Sequence, residues 1–278
     1  MIPKIIHYCW FGHHPIPEQD RRWMESWKRY CPDYEIIEWN ESNYDIHKNR
    51  YMEQAYEAKM WAFVPDYARL DILYQYGGIY LDTDVELVKS FDDLLSLEMF
   101  CGFENQNAVA FGLGFGARKG NPLIKEMLEM YETMSFLKEG GGLNRTASPY
   151  YQTQILIRHG LCCNNELQRL PGCTVFPSDY FAPMSFETGV CRQTKHTYSI
   201  HYYNMSWFTE EEKKNQRKRQ RLYARYGKRL ADRLLRTEQF LKFIKEIGPV
   251  EAARGLRRRI RREGKRILKR CFPIVFRK

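Results

Sequence analysis

Apolar and β-branched residues run through positions 2–10 and predict a first strand, which Gly12 and Pro15 break. Pro17 then opens an amphipathic stretch to Tyr30, with Trp23 and Trp27 at i, i+4 on one helical face. After Pro32-Asp33 the run 34–39 reads as a second strand, followed by the polar loop Asn40-Glu41-Ser42-Asn43. Residues 44–76 follow a helical pattern that restarts at Pro65, a residue suited to the first turn of a new helix. Gly77-Gly78 stops it, and that punctuation explains the pair without any ligand contact. Next, 79–88 alternates Ile79, Leu81, Thr83, Val85 and Leu87 with Tyr80, Asp82, Asp84 and Glu86, the period of a third strand.

Downstream the pattern predicts a short helical turn at 91–95, apolar Gly-rich strands across 100–116 and a helix over 122–134. Gly140-Gly141-Gly142 is a flexible break, 149–159 a further helix, and 174–181 and 197–201 late strands. Strands alternating with helices in the first ninety or so residues predict an α/β domain with a mainly parallel sheet. The C-terminal part differs. Leu222, Tyr226, Leu230 and Leu234, then Phe240, Phe243, Ile244 and Ile247, recur at helical spacing among Lys and Arg. After Gly248-Pro249 a thinner stripe of Leu256, Ile260, Ile267 and Leu268 continues within Arg257-Arg258-Arg259 and Arg261-Arg262.

Charge sharpens that division. Residues 210–278 hold 25 Lys/Arg against 8 Asp/Glu, while the whole chain of 278 residues is only +10, so the remainder is acidic. The expected organisation is a domain over 1–209 and a basic amphipathic helical segment over 210–278. Such a segment implies an anionic partner, either a membrane surface or a nucleic acid. With 44% hydrophobic and 28% charged residues the chain can bury a core, so disorder throughout is excluded. No run of about 18 apolar residues occurs, which excludes a membrane-spanning helix. The N-terminus lacks a signal-peptide apolar region, and the expectation is a cytoplasmic protein. The eight cysteines show no C-x-x-C pair, so reduced structural thiols are expected rather than a zinc site.

The chemistry concentrates around Asp66, Arg69, Asp82 and Asp84. On a strand, Asp82 and Asp84 would point to the same side, near the carboxyl end where open α/β sheets place ligands. Two converging hard oxygen donors suit Mg2+ or Mn2+ bridging a diphosphate. Asp66 and Arg69, at i, i+3 on the preceding helix, can share a face and offer a fork for phosphate or sugar hydroxyls. A bare D-x-D is weak evidence, since eleven Asp give about 0.4 such spacings by chance, and the alternative is a solvated strand edge with a surface ion pair. His13-His14 reads as a solvated loop.

Three stretches taken together are more specific. Ile2-Pro3-Lys4-Ile5-Ile6-His7-Tyr8-Cys9-Trp10-Phe11-Gly12, then Pro65-Asp66-Tyr67-Ala68-Arg69, then Tyr76-Gly77-Gly78-Ile79-Tyr80-Leu81-Asp82-Thr83-Asp84 resemble glycosyltransferase family 32, the DXD sugar-transferase group that includes capsular polysaccharide enzymes. The resemblance covers about 1–207. It implies a GT-A fold, a nucleotide-diphosphate sugar donor, a saccharide or lipid-linked saccharide acceptor, a divalent cation (Mn2+ or Mg2+) and retention of anomeric configuration. By the same resemblance Trp10 stacks on the nucleotide base and Asn43 contacts the same nucleoside. Asp66 and Arg69 match the pair that contacts the donor's ribose and sugar. Asp82 matches the first DXD acid and Asp84 the direct metal ligand. His201 with Ser206-Trp207 resembles the late motif that completes the metal and diphosphate site, although its middle here reads Tyr202-Tyr203-Asn204-Met205. The resemblance therefore implies Asp66, Arg69 and Asp82 as catalytic residues, Trp10, Asn43, Ser206 and Trp207 as further donor contacts, and Asp82, Asp84 and His201 as metal ligands.

A nucleic-acid-binding protein acting through its basic tail is the competing class. Long aliphatic residues at helical spacing favour a membrane surface instead, because single-strand binders present aromatics in a basic groove. The expectation is thus no nucleic acid, and a protein peripheral to the inner, anionic membrane face. A glycoside hydrolase using Asp82 and Asp84 is disfavoured, since acids two apart on one strand cannot flank a sugar.

Overall fold

The computed structural model describes residues 1–206 and 208–247. They form two compact units, the first Met1–Lys213 and the second beginning at Lys214. In the first, β1 (Ile5–Cys9), α1 (Glu18–Tyr30) and β2 (Glu35–Trp39) make a parallel pair with its crossover helix. The helices α2 (Arg50–Glu57) and α3 (Val64–Tyr76) lead to β3 (Gly78–Tyr80), which pairs parallel to the other side of β1. Pro65 stands in the first turn of α3, as expected, where its missing N–H has no helical partner to lose.

The continuous strand expected over 79–88 does not exist. β3 stops at Tyr80, Val85 N–H donates to the Asp82 carbonyl across a turn, and β4 (Val85–Leu87) restarts in a different sheet. The apolar alternation continues through the break because Leu81, Val85 and Leu87 are all buried, but in two successive elements.

β5 (Met99–Asn105), β6 (Ala108–Ala110) and β7 (Phe115–Ala117) follow, then α4 (Pro122–Glu132) and α5 (Ser148–Arg158). β8 (Gln168–Leu170), absent from the sequence expectation, pairs with β9 (Cys173–Phe176). The late strand expected to run to 181 ends at Phe176, and α6 (Ser178–Phe181) takes over after Pro177. β10 (Ser199–His201) lies antiparallel to β4 in a two-stranded ribbon. The main sheet runs β2-β1-β3-β7-β5-β9-β8, with β6 beside β5. It is mixed, not mainly parallel: β7 is antiparallel to both β3 and β5. This mixed α/β sheet is consistent with the GT-A expectation.

Both faces of the sheet are covered, which is why its strands read as apolar runs. Along β1, Ile6 and Tyr8 enter the core on one face with Trp27, while Cys9 enters the other with α2, α3 and α4 residues such as Met52, Leu73 and Met127. Each fully buried Phe of β5 and β7 contributes about 1.5–3 kcal/mol by leaving water. The seven cysteines among the described residues are unpaired.

Beyond the body, Thr209 and Glu212 form a reciprocal capping box at the start of α7 (Glu210–Ile247). This helical segment breaks at Gly227, whose φ of 72° admits the reversal. Lys218 pairs with Glu238 and Tyr223 donates to Asp232, so the stretches before and after Gly227 fold back on each other. Of the expected stripe, Tyr226, Leu230 and Leu234 are exposed and Leu222 is half-buried. The stripe and arginine run expected beyond residue 247 lie outside the described residues. No described helix is long and apolar enough to cross a membrane.

Candidate functional site

α3 carries Asp66 and Arg69 inward through its first two turns. Arg69 Nη2 donates to Asp66 Oδ1 at 2.8 Å and Nε donates to the Pro65 carbonyl at 2.9 Å, which fixes the plane of the guanidinium. That group lies 5.1 Å from the Tyr80 ring centroid, on β3. Burial pushes the Asp66 carboxyl up to about 6, against the pull of Arg69 and a hydrogen bond from Ser148 at the start of α5. The free edge of the guanidinium, Nη1, faces Asp82 Oδ2 at 3.8 Å. Two motifs separate in sequence are thereby joined through one arginine.

Asp82, Thr83 and Asp84 occupy the turn where the main sheet gives way to the β4–β10 ribbon. Asp82 is tethered by its N–H to the Gly112 carbonyl, and its side chain keeps 29% of its surface open to solvent. A Cβ on Gly112 would lie 1.9 Å from Asp82 Oδ2, so the carboxylate can occupy this position only because residue 112 has no side chain. Asp84 is buried. It accepts from His201 Nε2 at 3.0 Å and from the Asn204 N–H at 2.8 Å. Burial alone would raise its carboxyl, but the His201 charge and these hydrogen bonds hold it below the usual carboxylate range. For His201, burial acts downward, while Asp84 above all, with Asp82 and Glu104, raises the imidazole above its ordinary value.

Asp82, Asp84 and His201 therefore converge, with one ligand atom from each within 4.8 Å of the others. Two carboxylates and an imidazole fit a divalent cation of the Mn2+ or Mg2+ kind, the imidazole favouring Mn2+. A proton on His201 and a bound cation are alternative ways of neutralising Asp84.

Trp10 sits one residue past the carboxyl end of β1, at the sheet edge from which Asp82 also leaves. Its indole N–H donates to the His14 carbonyl, which sets the ring's orientation. Asn43 lies in the loop after β2 at that same edge, but its amide is committed there: Oδ1 accepts from Asn40 N–H and Nδ2 donates to the Glu38 carbonyl. Ser206 is exposed on the loop after β10. Trp207 lies outside the described residues.

Three contributors escaped the sequence analysis. Gly112 looked like one more glycine in an apolar run. Asn204 supplies its N–H to Asp84 from a loop in which Tyr203 and Met205 both have left-handed φ, 55° and 52°. Asp20 on α1 accepts from Thr83 Oγ1 at 2.8 Å and from Asn204 Nδ2 at 2.7 Å. Apart from these three, Gln152, one turn beyond Ser148 on α5, is 1% exposed with neither amide atom bonded.

Residues 17–101 match the family described as the glycosyltransferase sugar-binding region containing the DXD motif. The chain is 29% identical over 146 residues to inositol phosphoceramide mannosyltransferase 3 of Schizosaccharomyces pombe, covering 49% of this chain and 38% of that protein. It is 31% identical over 157 residues to an uncharacterized glycosyltransferase of Acanthamoeba polyphaga mimivirus, covering 53% and 61%. The chain thus spans less than two thirds of the length of these curated relatives. Among solved structures it is similar to the PaToxG glycosyltransferase, at 24% identity and a TM-score of 0.43 over 56% of this chain and 69% of that one. A glycosyltransferase involved in glycosylation of the major capsid of PBCV-1 matches at 12% identity and a TM-score of 0.40, over 77% and 100%. The family match and the curated relatives support the expectation of a glycosyltransferase with a DXD sugar-binding region.

Proposed function

We propose that this chain transfers a sugar, with retention, from a nucleotide-diphosphate sugar to a hydroxyl of a saccharide or lipid-linked saccharide. The observation that carries the reading is the convergence of Asp82, Asp84 and His201 beside the Asp66–Arg69 pair. Asp82, Asp84 and His201 would hold Mn2+ or Mg2+. When bound, the cation neutralises charge developing on the leaving diphosphate. Arg69 presents its open edge to donor oxygens, and ionised Asp66 keeps that guanidinium in plane. Asp82, open to solvent on one side, can accept from a sugar or ribose hydroxyl. Trp10 offers an aromatic surface for the base at the same sheet edge. No protein nucleophile is invoked: front-face attack passes the acceptor's proton to the departing diphosphate.

A mannose donor is the first to test, because curated relatives are named as mannosyltransferases acting with inositol phosphoceramide. The family resemblance supports a place in cell-surface polysaccharide synthesis, such as a bacterial capsule, and the basic segment supports a position at an anionic inner membrane face. The test is a panel of nucleotide-diphosphate sugars with Mn2+, measuring free nucleotide released. One donor should be hydrolysed slowly without acceptor and faster with a lipid-linked saccharide. Folded protein inert toward every donor would refute the reading. Retention of polyanions by the basic segment alone, with no turnover, would favour the nucleic-acid alternative.

A further inference from the structure

α1 grips the part of the site that the motifs do not explain. Trp27 Nε1 donates to the Val85 carbonyl at 2.8 Å, and Ser26 Oγ accepts from the Leu87 N–H at 2.8 Å, so the helix holds β4 directly. Trp23 stacks on Tyr202 at 4.3 Å between centroids and 8° between planes, so it also holds the chain just after β10. One turn earlier stands Asp20, 2% exposed, with two neutral partners for its carboxylate. Of these four side chains, Asp20 alone bonds to both the DXD turn, through Thr83, and the loop after β10, through Asn204.

A buried carboxylate without a cation beside it is unfavourable, and an acid in the first turn of a helix needs no burial to benefit from the helix dipole. Its position is explained by what it joins. Thr83 separates the two DXD carboxylates. Asn204 places its own N–H on Asp84 Oδ2, from a loop whose flanking residues Tyr203 and Met205 are held in the left-handed region. Such a loop springs to another conformation unless its surroundings fix it.

We propose that Asp20 is a positioning residue for cation binding: it locks the Asp82–Asp84 turn to the loop after β10, so that the carboxylates and His201 keep the separation a divalent ion requires. The proposal rests on the metal-site reading above, and also accounts for the Tyr202-Tyr203-Asn204-Met205 departure. Tyr202 packs on Trp23 and Asn204 bonds to Asp20, so α1 and this loop are built for each other.

The experiment titrates Mn2+ into full-length protein and follows the free aquo-ion by electron paramagnetic resonance, with thermal melts alongside. Wild type should bind, and Asp84→Asn should not. Asp20→Ala should raise the Kd for Mn2+ about 10–100-fold, the usual consequence of removing a group that orients metal ligands. Thr83→Val, which loses one of the two bonds, should weaken binding less. Asp20→Asn should fall between wild type and Asp20→Ala, with a melting midpoint no lower than wild type, because it removes a buried charge yet can still accept from Thr83. Weaker binding without lower stability separates positioning from a general structural role. If Asp20→Ala fails to fold, Asp20→Asn and Thr83→Val decide by the same measurement. Kd values within twofold of wild type in the folded variants, with Asp84→Asn inactive in binding, would overturn the role of Asp20 alone. Wild-type protein that binds no Mn2+ would overturn the metal-site reading and this proposal together.

Discussion

The body and the basic helical segment use charge in opposite ways. In the body, the Asp66 and Arg69 side chains are each 6% exposed, and those of Asp84 and His201 13%. In the second unit, the Lys218–Glu238 pair is 47% and 38% exposed, and Leu230 and Leu234 stand open among arginines. At 4 Å a pair of unit charges is worth about 1 kcal/mol in water but about 4 kcal/mol at the lower effective dielectric near protein. A single buried charge can therefore decide whether the body works. An exposed one in the helical segment is worth little, and that segment can act only by number.

The strongest way to break this comparison is to neutralise one charge in the body. Asp84→Asn keeps the shape and can still accept from the Asn204 N–H, but it loses the charge that would hold a cation. Nucleotide release with Mn2+ should fall roughly 1000-fold or more, with an unchanged circular dichroism spectrum. Near-normal turnover would make Asp84 an ordinary carboxylate. Next in size is Gly112→Ala. Its methyl group would contact Asp82 Oδ2 at 1.9 Å and must displace it. A shift of about 1 Å at a reacting group costs on the order of 100-fold, so kcat should fall by that much while the fold persists. Unchanged kcat would mean that Asp82 tolerates movement and contacts no donor.

These residues differ in how far the sequence revealed them. Asp66, Arg69, Asp82 and Asp84 were legible because they lie in short motifs with fixed local spacing, and the Trp23/Trp27 face of α1 was legible from its period. The strand break after Tyr80 was not, because β4 happens to resume the apolar alternation in register with β3. The antiparallel β7 was not either, since its direction comes from pairing with β3 and β5, which are distant along the chain. Asp20 looks like an ordinary first-turn acid and Gly112 like a flexible glycine. Each acquires meaning only from a neighbour, Thr83 or Asp82, that the chain reaches tertiarily. No local signal distinguishes such residues.

A proton should act on the body as a mutation does, and to a smaller extent. Burial lifts the Asp66 carboxyl from 3.8 to about 6, so below that pH it is protonated and no longer pairs with Arg69 as an anion. Activity in kcat/KM should fall about tenfold per pH unit on the acid side of 6. In Asp66→Asn that limb should vanish at a low plateau. The sign for stability is opposite. Because the folded state holds this proton more tightly, its contribution is complete below pH 3.8 and is lost as pH rises through about 6. Melting midpoints of wild type and Asp66→Asn should therefore diverge across that window. Parallel curves would refute the shift.

The smallest expected effect on turnover belongs to the other side of the comparison. Residues 210–278 carry 25 Lys/Arg against 8 Asp/Glu, and each basic residue close to an anionic bilayer contributes about 1 kcal/mol. Loss of one is therefore minor and loss of many is decisive. Leu256, Ile260, Ile267 and Leu268, which the sequence interleaves after Pro249 with twelve of those cations, would add what charge alone does not. Full-length protein and a 1–249 truncation should be compared by co-sedimentation with anionic and neutral vesicles. The full chain should pellet with anionic vesicles only, and the truncation should be released from them, while nucleotide release with a water-soluble acceptor changes less than twofold. With a lipid-linked acceptor in anionic vesicles the truncation should be slower, because it no longer shares a surface with its substrate. Equal sedimentation of the two proteins would remove the last residues from any membrane role. Binding that survives high salt would instead shift the weight from the cations to the apolar stripe.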